Sequence, residues 1–390
     1  MMNSKEIIYI SRSTDMDLYK QLGLTCNIAA TKFNNLIMQG LSDKYKINSF
    51  YIYSKNIKKE QKIYKNNVVH YFCPNYNKIK RIIFLTKNLK KIKNSCSREI
   101  VLICDALCIG DCVVAQLIAK IYKWRTIGIF TDLPEYLGTF VPQKKRTIMQ
   151  KIRLKIYYSS FNLYDNFVLL TKQMVDKIDK ANMLNSIVVE GFGNTKAFKN
   201  LKINKKKQIM YAGSLQKEYG IIELINAFIS IHDKFDDYKL VIYGKGDAET
   251  EIKALITKYD FIDFKGMANI DVVLQEEVDS MLLVNPRPTH SNQEGNEYTK
   301  YSFPSKNMEY MSSGTPMIGY KLPGMPDEYE KYIFVIKDEG YIGIRNTLIK
   351  VLMKSDNEII KKGKTAQLFI KNEKEYNVQV DKILKKFNLE

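Results

Sequence analysis

The stretch Tyr298-Thr-Lys-Tyr-Ser-Phe-Pro-Ser-Lys-Asn-Met-Glu-Tyr-Met-Ser-Ser-Gly-Thr-Pro316 decides how the chain is read. Ser302, Ser305, Lys306 and Glu309 recur at the spacing that puts side chains on one helical face. Ser302 is the expected N-cap, with Pro304 tolerated in the first turn; Gly314 suits the position just past the last turn, and Pro316 forbids continuation. A helix start that also carries a lysine attracts phosphate, and a carboxylate further along the same face can accept hydrogen bonds from the vicinal hydroxyls of a ribose. Together they fit a clamp for a sugar nucleotide. The same polar stripe would also suit an ordinary amphipathic helix facing water, so context has to decide. Met317-Ile-Gly-Tyr320 reads as a strand, and Lys321-Leu-Pro-Gly-Met-Pro-Asp-Glu328 as the Gly/Pro-rich turn after it, which is where α/β proteins place ligands.

Working outward, short apolar runs alternate with helical patterns, which predicts parallel sheets with crossover helices: a doubly wound α/β plan, made twice. In the second half the strands read Gln208–Ala212, Tyr238–Tyr243, Phe261–Phe264 and Ser280–Asn285, each ending at a candidate ligand loop. Gly213-Ser-Leu-Gln-Lys-Glu-Tyr-Gly220 follows the first, Gly244-Lys-Gly246 the second, Lys265-Gly266 the third and Pro286-Arg-Pro288 the fourth. In the first half they read Glu6–Ile10, Ser49–Tyr53, Val68–Phe72, Glu99–Cys104, Thr126–Phe130, Asn166–Leu170 and Ile187–Val189, with helices over Asn27–Leu41 and Asp111–Lys123. The lysine-rich stretch Asn200–Gln208 breaks the periodicity. The expected domains are therefore 1–199 and 200–370, with 371–390 a terminal helix that packs back across both.

At 390 residues, 45% hydrophobic and 26% charged, the chain has the composition of a soluble two-domain protein. It shows no signal-peptide pattern and no run of membrane-spanning length, so a cytoplasmic location is expected. The six cysteines, at 26, 73, 96, 104, 108 and 112, have neither disulfide nor zinc or iron–sulfur spacing, and His70, His232 and His290 are scattered. Buried thiols are the expectation. The net charge of +19 is clustered. Lys78, Lys80, Arg81, Lys87, Lys90, Lys91 and Lys93 share one amphipathic helix near 78–93; Lys144, Lys145, Arg146, Lys151, Arg153 and Lys155 share a second near 144–156. Basic amphipathic helices suit the anionic inner face of a cell membrane, where the protein would sit peripherally; solvated lysine faces are the competing explanation. No nucleic-acid motif surrounds them.

The glycine turn at 213–220, the Gly-x-Gly loop, the Lys-Gly strand end and Phe303-Pro-Ser-Lys306 with Glu309-Tyr-Met-Ser-Ser-Gly-Thr-Pro316 together resemble the GT-B glycosyltransferases of family 4, in the variety that builds bacterial surface polysaccharides. The likeness is dense over 208–330 and rests on strand order before that. It implies two Rossmann-like domains facing a central cleft, the N-terminal one for the acceptor and the C-terminal one for the donor. It further implies retaining transfer from a nucleotide-diphosphate sugar, with a lean to UDP, onto a lipid-linked oligosaccharide in capsular, O-antigen or exopolysaccharide assembly. By this resemblance Glu309 binds the donor ribose, the backbone at Lys265 and Gly266 approaches the base, and Lys306 neutralises the diphosphate leaving group. Gly213, Ser214, Lys217, Gly244, Ser302 and Ser305 complete the donor set. No cofactor or metal is implied, and no Asp-x-Asp pair stands ready for a divalent cation.

Departures from the family pattern matter. Where many members carry an Arg and a Lys in the glycine turn, this chain has Ser214 and Tyr219; where many carry a first glutamate, it has Tyr301. Lys217 can substitute from one turn away. Arg287, at a strand end, is the best remaining cation for a phosphate, since a guanidinium can bind two oxygens at once; a surface arginine between prolines is the other reading. In the first half Asp132, within Gly128-Ile-Phe-Thr-Asp-Leu-Pro-Glu135, is the leading residue to orient or deprotonate an acceptor hydroxyl. It would equally serve as a cap ahead of Leu133-Pro134. Asp105 and Glu135 are alternates, and Ser11–Asn27 reads as a flexible acceptor loop. Two other functions remain open on the same fold: a non-hydrolysing nucleotide-sugar epimerase, disfavoured by the scarcity of histidine, and a catalytically silent nucleotide-sugar-binding relic.

Overall fold

The computed structural model describes residues 5–24, 28–52, 56–136, 146–289 and 297–390. Cys26, Asn27, Tyr53, Lys144, Lys145 and His290 lie outside the described residues. The chain forms two compact units, Met1–Phe192 with Tyr376–Glu390, and Gly193–Glu375.

The first unit is built on strands β1 Lys5–Ser11, β2 Lys46–Tyr51, β3 Gln61–Lys65, β4 Val68–Phe72, β5 Glu99–Asp105, β6 Arg125–Phe130, β7 Asn166–Leu169 and β8 Ser186–Val188. Their order is β3-β4-β2-β1-β5-β6-β7-β8. All pairs are parallel except β3 with β4. Order reverses between β1 and β5, which makes their C-terminal ends the switch point where such sheets bind ligands. Helices α1 Met16–Gln21, α2 Ile28–Ser42, α3 Lys78–Ser95, α4 Ile109–Ile121 and α5 Ile148–Phe161 connect them.

The second unit carries β9 Lys206–Ser214, β10 Lys239–Lys245, β11 Ile262–Gly266, β12 Ser280–Asn285, β13 Met317–Tyr320 and β14 Phe334–Ile336, in the order β11-β10-β9-β12-β13-β14 and all parallel. Its switch point lies between β9 and β12. The helices are α6 Ile221–Ile229, α7 Glu249–Ile256, α8 Ile270–Asp279, α9 Ser305–Ser313, α10 Gly340–Leu352 and α11 Asp356–Phe369; α12 Tyr376–Lys386 follows and belongs to the first unit. The doubly wound α/β architecture is thus present twice.

Several local readings need correction. The antiparallel strand β3 was not expected, although Asn66-Asn67, both with positive φ, form the two-residue turn that closes a hairpin. The segment after β1 is no open loop: Asp15 caps α1 through Asp17 and Leu18 N–H and pairs with Lys65 at 2.6 Å. Thr14 bonds the buried His70 imidazole at 3.2 Å, and burial lowers that imidazole's pKa to about 4. The polar stretch before Gln208 lies within the second unit, which begins at Gly193 where 200 was expected. Asn204 N–H donates to Asp279, the Lys205 ammonium to Ser280 O at 2.6 Å and Thr315 Oγ1 at 2.9 Å, sewing the stretch into the second unit.

The expected terminal helix is present as α12. Glu375 sets it off from α11 and the turn that follows, and its carboxylate accepts from Thr195 N–H and Oγ1–H. Beyond it α12 delivers Tyr376, Val380, Ile383 and Leu384 into the core of the first unit, alongside Ile7, Tyr9, Ile37, Leu41 and Ile103.

Helix α9 starts at Ser305, with Pro304 at the cap position and no side-chain cap bond, so Ser302 is not its N-cap. Phe303 precedes a proline and is steered away from helical geometry, which postpones the start past Pro304. Gly314 closes the helix in the left-handed region, as its position in the sequence implies. Two buried contacts hold α9 to the switch point. The Tyr310 hydroxyl accepts from Ala212 N–H at 2.8 Å and donates to Ala212 O at 3.3 Å, and Asn285 Nδ2 donates to Asn307 Oδ1 at 2.7 Å. Tyr310→Phe removes the hydroxyl that bonds the strand and leaves a buried N–H without this acceptor, a loss of about 1–3 kcal/mol. The expected result is a lower urea midpoint with unchanged slope; an unshifted midpoint would contradict the docking role.

Candidate functional site

The C-terminal ends of β9 and β12, with the first turn of α9, gather most of the residues singled out in the sequence. Alternation along β9 puts Tyr211 and Gly213 on one face. Lys306, half-buried on α9, lies directly over them: its Nζ is 3.7 Å from the centre of the Tyr211 ring, and a Cβ at position 213 would stand 2.0 Å from that nitrogen. Glycine is therefore required at 213 for the lysine to occupy this place. Tyr211 is itself fixed, donating its hydroxyl to Ser214 O at 2.6 Å; burial raises the pKa of its phenol, with Tyr219 adding to the shift and Arg287 opposing it. Glu309 is half-buried one turn beyond Lys306, and Ser305 is exposed at the helix start.

Arg287 follows β12 and is half-buried between two rings, its guanidinium carbon 5.1 Å from the centre of Tyr219 and 4.8 Å from that of Tyr298. Its Nη2 donates to Ser302 Oγ at 3.3 Å, so Ser302 orients this arginine instead of capping a helix. The turn from β9 is locked to the same place. Gly220 has φ 77° and sits so close to the chain after β12 that an added Cβ would be 2.3 Å from Pro286 O. The aromatic partners Tyr211, Tyr219 and Tyr298 were missed as site residues. Tyr219 stood out only as a departure from the pattern of the glycine turn, and the alternation of Tyr211 with Gly213 along an expected strand was the signal available for Tyr211.

The remaining donor candidates are placed as follows. Gly244 packs onto the turn after β9, within 1.8 Å of Gly213 O were it to carry a Cβ, and Leu215 N–H donates to Lys245 O. Lys217 is exposed and paired with Glu251 at 3.1 Å, while its N–H donates to Asp247. Lys265 is exposed and paired with Asp263 at 3.3 Å, and Gly266 has φ 64° with open space around it. Tyr301, where the family pattern has a glutamate, is buried.

In the first unit Asp132 follows β6 and accepts from Leu133 N–H at 2.9 Å, ahead of the short turn Pro134–Tyr136. Glu135 is taken up in a tie to α5, accepting from the Tyr158 hydroxyl at 2.6 Å. Asp105 ends β5 at the switch point; burial raises its carboxyl pKa, opposed by the Leu107 N–H it accepts and by Arg12. Cys104, Cys108 and Cys112 are buried free thiols. Among the described residues no group of three or more His, Cys, Asp or Glu gathers to hold a metal ion. None of the described helices is long and apolar enough to cross a membrane.

The basic helices carry more than charge. On α3, Phe84, Leu85, Leu89 and Ile92 are buried while Ile79, Ile82 and Ile83 are exposed; on α5, Ile148, Met149, Ile152 and Ile156 are exposed. Helix α4 packs on both and exposes Leu117 and Ile121, and Arg81 of α3 pairs with its Asp111 at 3.2 Å.

Comparison with known proteins bears on this geometry. Residues 193–376 match the family model described as glycosyl transferases group 1, a stretch that coincides with the second unit to within a residue. No curated protein matches the chain in sequence. Among solved structures, a sucrose-phosphate synthase from Thermosynechococcus elongatus is similar at TM-score 0.65 and 11% identity, over 98% of this chain and 99% of that one. Anabaena HepE, solved in complex with UDP-glucose, is similar at TM-score 0.66 and 12% identity over the same shares. A trehalose-6-phosphate protein from E. coli, bound with UDP-2-fluoro glucose, gives 0.67 and 9% over 97% and 98%. The chain has the GT-B fold along nearly its whole length, and with the group 1 match over the unit that holds Lys306, Arg287 and Glu309 this supports a GT-B glycosyltransferase.

Proposed function

We propose that the protein is a retaining glycosyltransferase of the family 4 type that moves a sugar from a nucleotide diphosphate, with UDP favoured, to a lipid-linked oligosaccharide in surface-polysaccharide assembly. The observation that carries the donor half is the convergence of Lys306, Arg287 and the N-terminal turn of α9 at the β9/β12 switch point. That grouping suits a diphosphate, because positive side chains and helix N–H groups aimed at the leaving group act where negative charge develops. Glu309 takes the ribose hydroxyls. UDP-bound relatives of the same fold favour uridine. On the acceptor side Asp132 orients the attacking hydroxyl.

The basic apolar face of α3, α4 and α5 supplies the membrane part of the reading. Exposed isoleucines beside lysines bury apolar area in the headgroup region, and each near-surface Lys or Arg adds on the order of 1 kcal/mol on anionic lipid. On this reading the enzyme works peripherally, beside a lipid-linked acceptor.

Three measurements test these assignments. Glu309→Gln and Lys306→Ala should each weaken nucleotide-sugar binding about tenfold or more in calorimetry, the range expected for losing a charge-assisted hydrogen bond; unchanged affinity removes either residue from its role. Because protein cations carry the diphosphate charge, a chelator should leave donor binding and turnover intact, and restoration of lost activity by magnesium would refute that. In flotation with vesicles containing phosphatidylglycerol, the protein should rise with the lipid at low salt and less at high salt. Replacing Ile79, Ile83, Ile152 and Ile156 by Ser should abolish it; equal flotation with neutral vesicles would count against the membrane assignment.

A further inference from the structure

The seat of Arg287 adds two residues to the donor site, and this inference rests on the donor reading above. A guanidinium can be held by a carboxylate, which cancels its charge and occupies its N–H groups. It can also be held on aromatic faces, which attract the cation through the ring quadrupole and leave the edge of the guanidinium for another partner. Arg287 is held in the second way. Tyr219 and Tyr298 lie within 5.1 Å and 4.8 Å of its guanidinium carbon, and one N–H goes to the neutral hydroxyl of Ser302.

Both rings stand on backbone that is held independently of the arginine. Tyr219 sits in a short turn whose next residue, Gly220, abuts Pro286, so the backbone carrying the ring is packed against the chain that carries the arginine. Tyr298 begins the turn Tyr298–Lys300, where Thr299 donates to Thr289 O at 2.6 Å and accepts from Gly324 N–H at 3.0 Å through its carbonyl. We propose that Tyr219 and Tyr298 are positioning residues that hold the Arg287 guanidinium, with its charge intact, for the diphosphate of the donor. Neither ring acts on the reacting atoms.

The proposal predicts a loss confined to the second phosphate. Calorimetry on the full chain with the matched pairs UDP/UMP, GDP/GMP and ADP/AMP reads this directly, because the monophosphate reports on the base and ribose grip alone. Arg287→Ala should lower affinity for the bound diphosphate about tenfold or more, the range for a charge-assisted hydrogen bond. Tyr219→Leu should lower it about three- to fivefold, the range for a partly exposed cation–π contact. In both, monophosphate affinity should hold within about twofold, a margin smaller than one such contact. Tyr219→Phe, which keeps the ring, should behave as the parent. In the Arg287→Ala background Tyr219→Leu should have no further effect, since the pair acts as a unit. Tyr298→Leu repeats the test from the second ring should Tyr219→Leu fail to fold. Equal losses for Leu and Phe at 219, or a full Tyr219→Leu effect without Arg287, would overturn the positioning role while leaving the donor site standing. A parent protein that binds none of the three diphosphates would overturn the donor reading, and this inference with it.

Discussion

The site depends on how one short helix is fastened to a sheet. Helix α9 presents Lys306 and Glu309 from one side while Met308, Tyr310 and Met311 on the other are buried. Apolar burial alone would let such a helix slide or roll, because it has no direction. The Tyr310 hydroxyl prevents this by engaging both backbone groups of Ala212, and the Asn285–Asn307 bond fixes the same helix to the end of β12. In a medium of low dielectric each of these bonds is costly to leave unmade. The rotation of α9 is thereby set, and with it the position of the ammonium over Gly213.

Where features were local they could be read from the amino-acid order. Gly314 and Pro316 announce the end of α9, and the strands of the second half stand within a residue or two of their expected limits, because apolar runs bounded by turn residues leave little choice. The start of α9 was misplaced since Ser302 is a good cap by type, yet the proline two residues on governs the backbone more strongly than the hydroxyl does. Strand β3 escaped notice because Gln61–Lys65 is mostly exposed and polar, so periodicity carries little signal there. The strand β14 was not read from the sequence either.

The surroundings of Arg287 illustrate what no pattern reveals. Its contacts come from two segments far apart in sequence, the turn after β9 and the stretch Tyr298–Ser302, which the sheet order brings together. Tyr219 and Tyr301 stood out as departures from a familiar pattern, but departure names a position without giving its partner. The grip of Tyr310 on Ala212 of β9 was hidden for the same reason. Proximity in the chain recommended Lys217, and no pattern announced that its exposed ammonium also pairs with Glu251 of α7.

The two passages of the chain at Gly193 and Glu375 run side by side, joined by the Gly193 N–H to Lys374 O bond at 2.7 Å and by a parallel bridge. The second unit is thus an insertion with adjacent ends, and it can close as soon as its own residues have left the ribosome. The first unit cannot. Val380, Ile383, Leu384 and Phe387 fill a core whose other walls precede the second unit in the sequence, so during translation that core stays open until α12 has emerged. Order of birth and order of completion are inverted: the lobe made first is finished last, and a nascent chain stalled before position 376 would expose an unfilled apolar floor to chaperones and proteases.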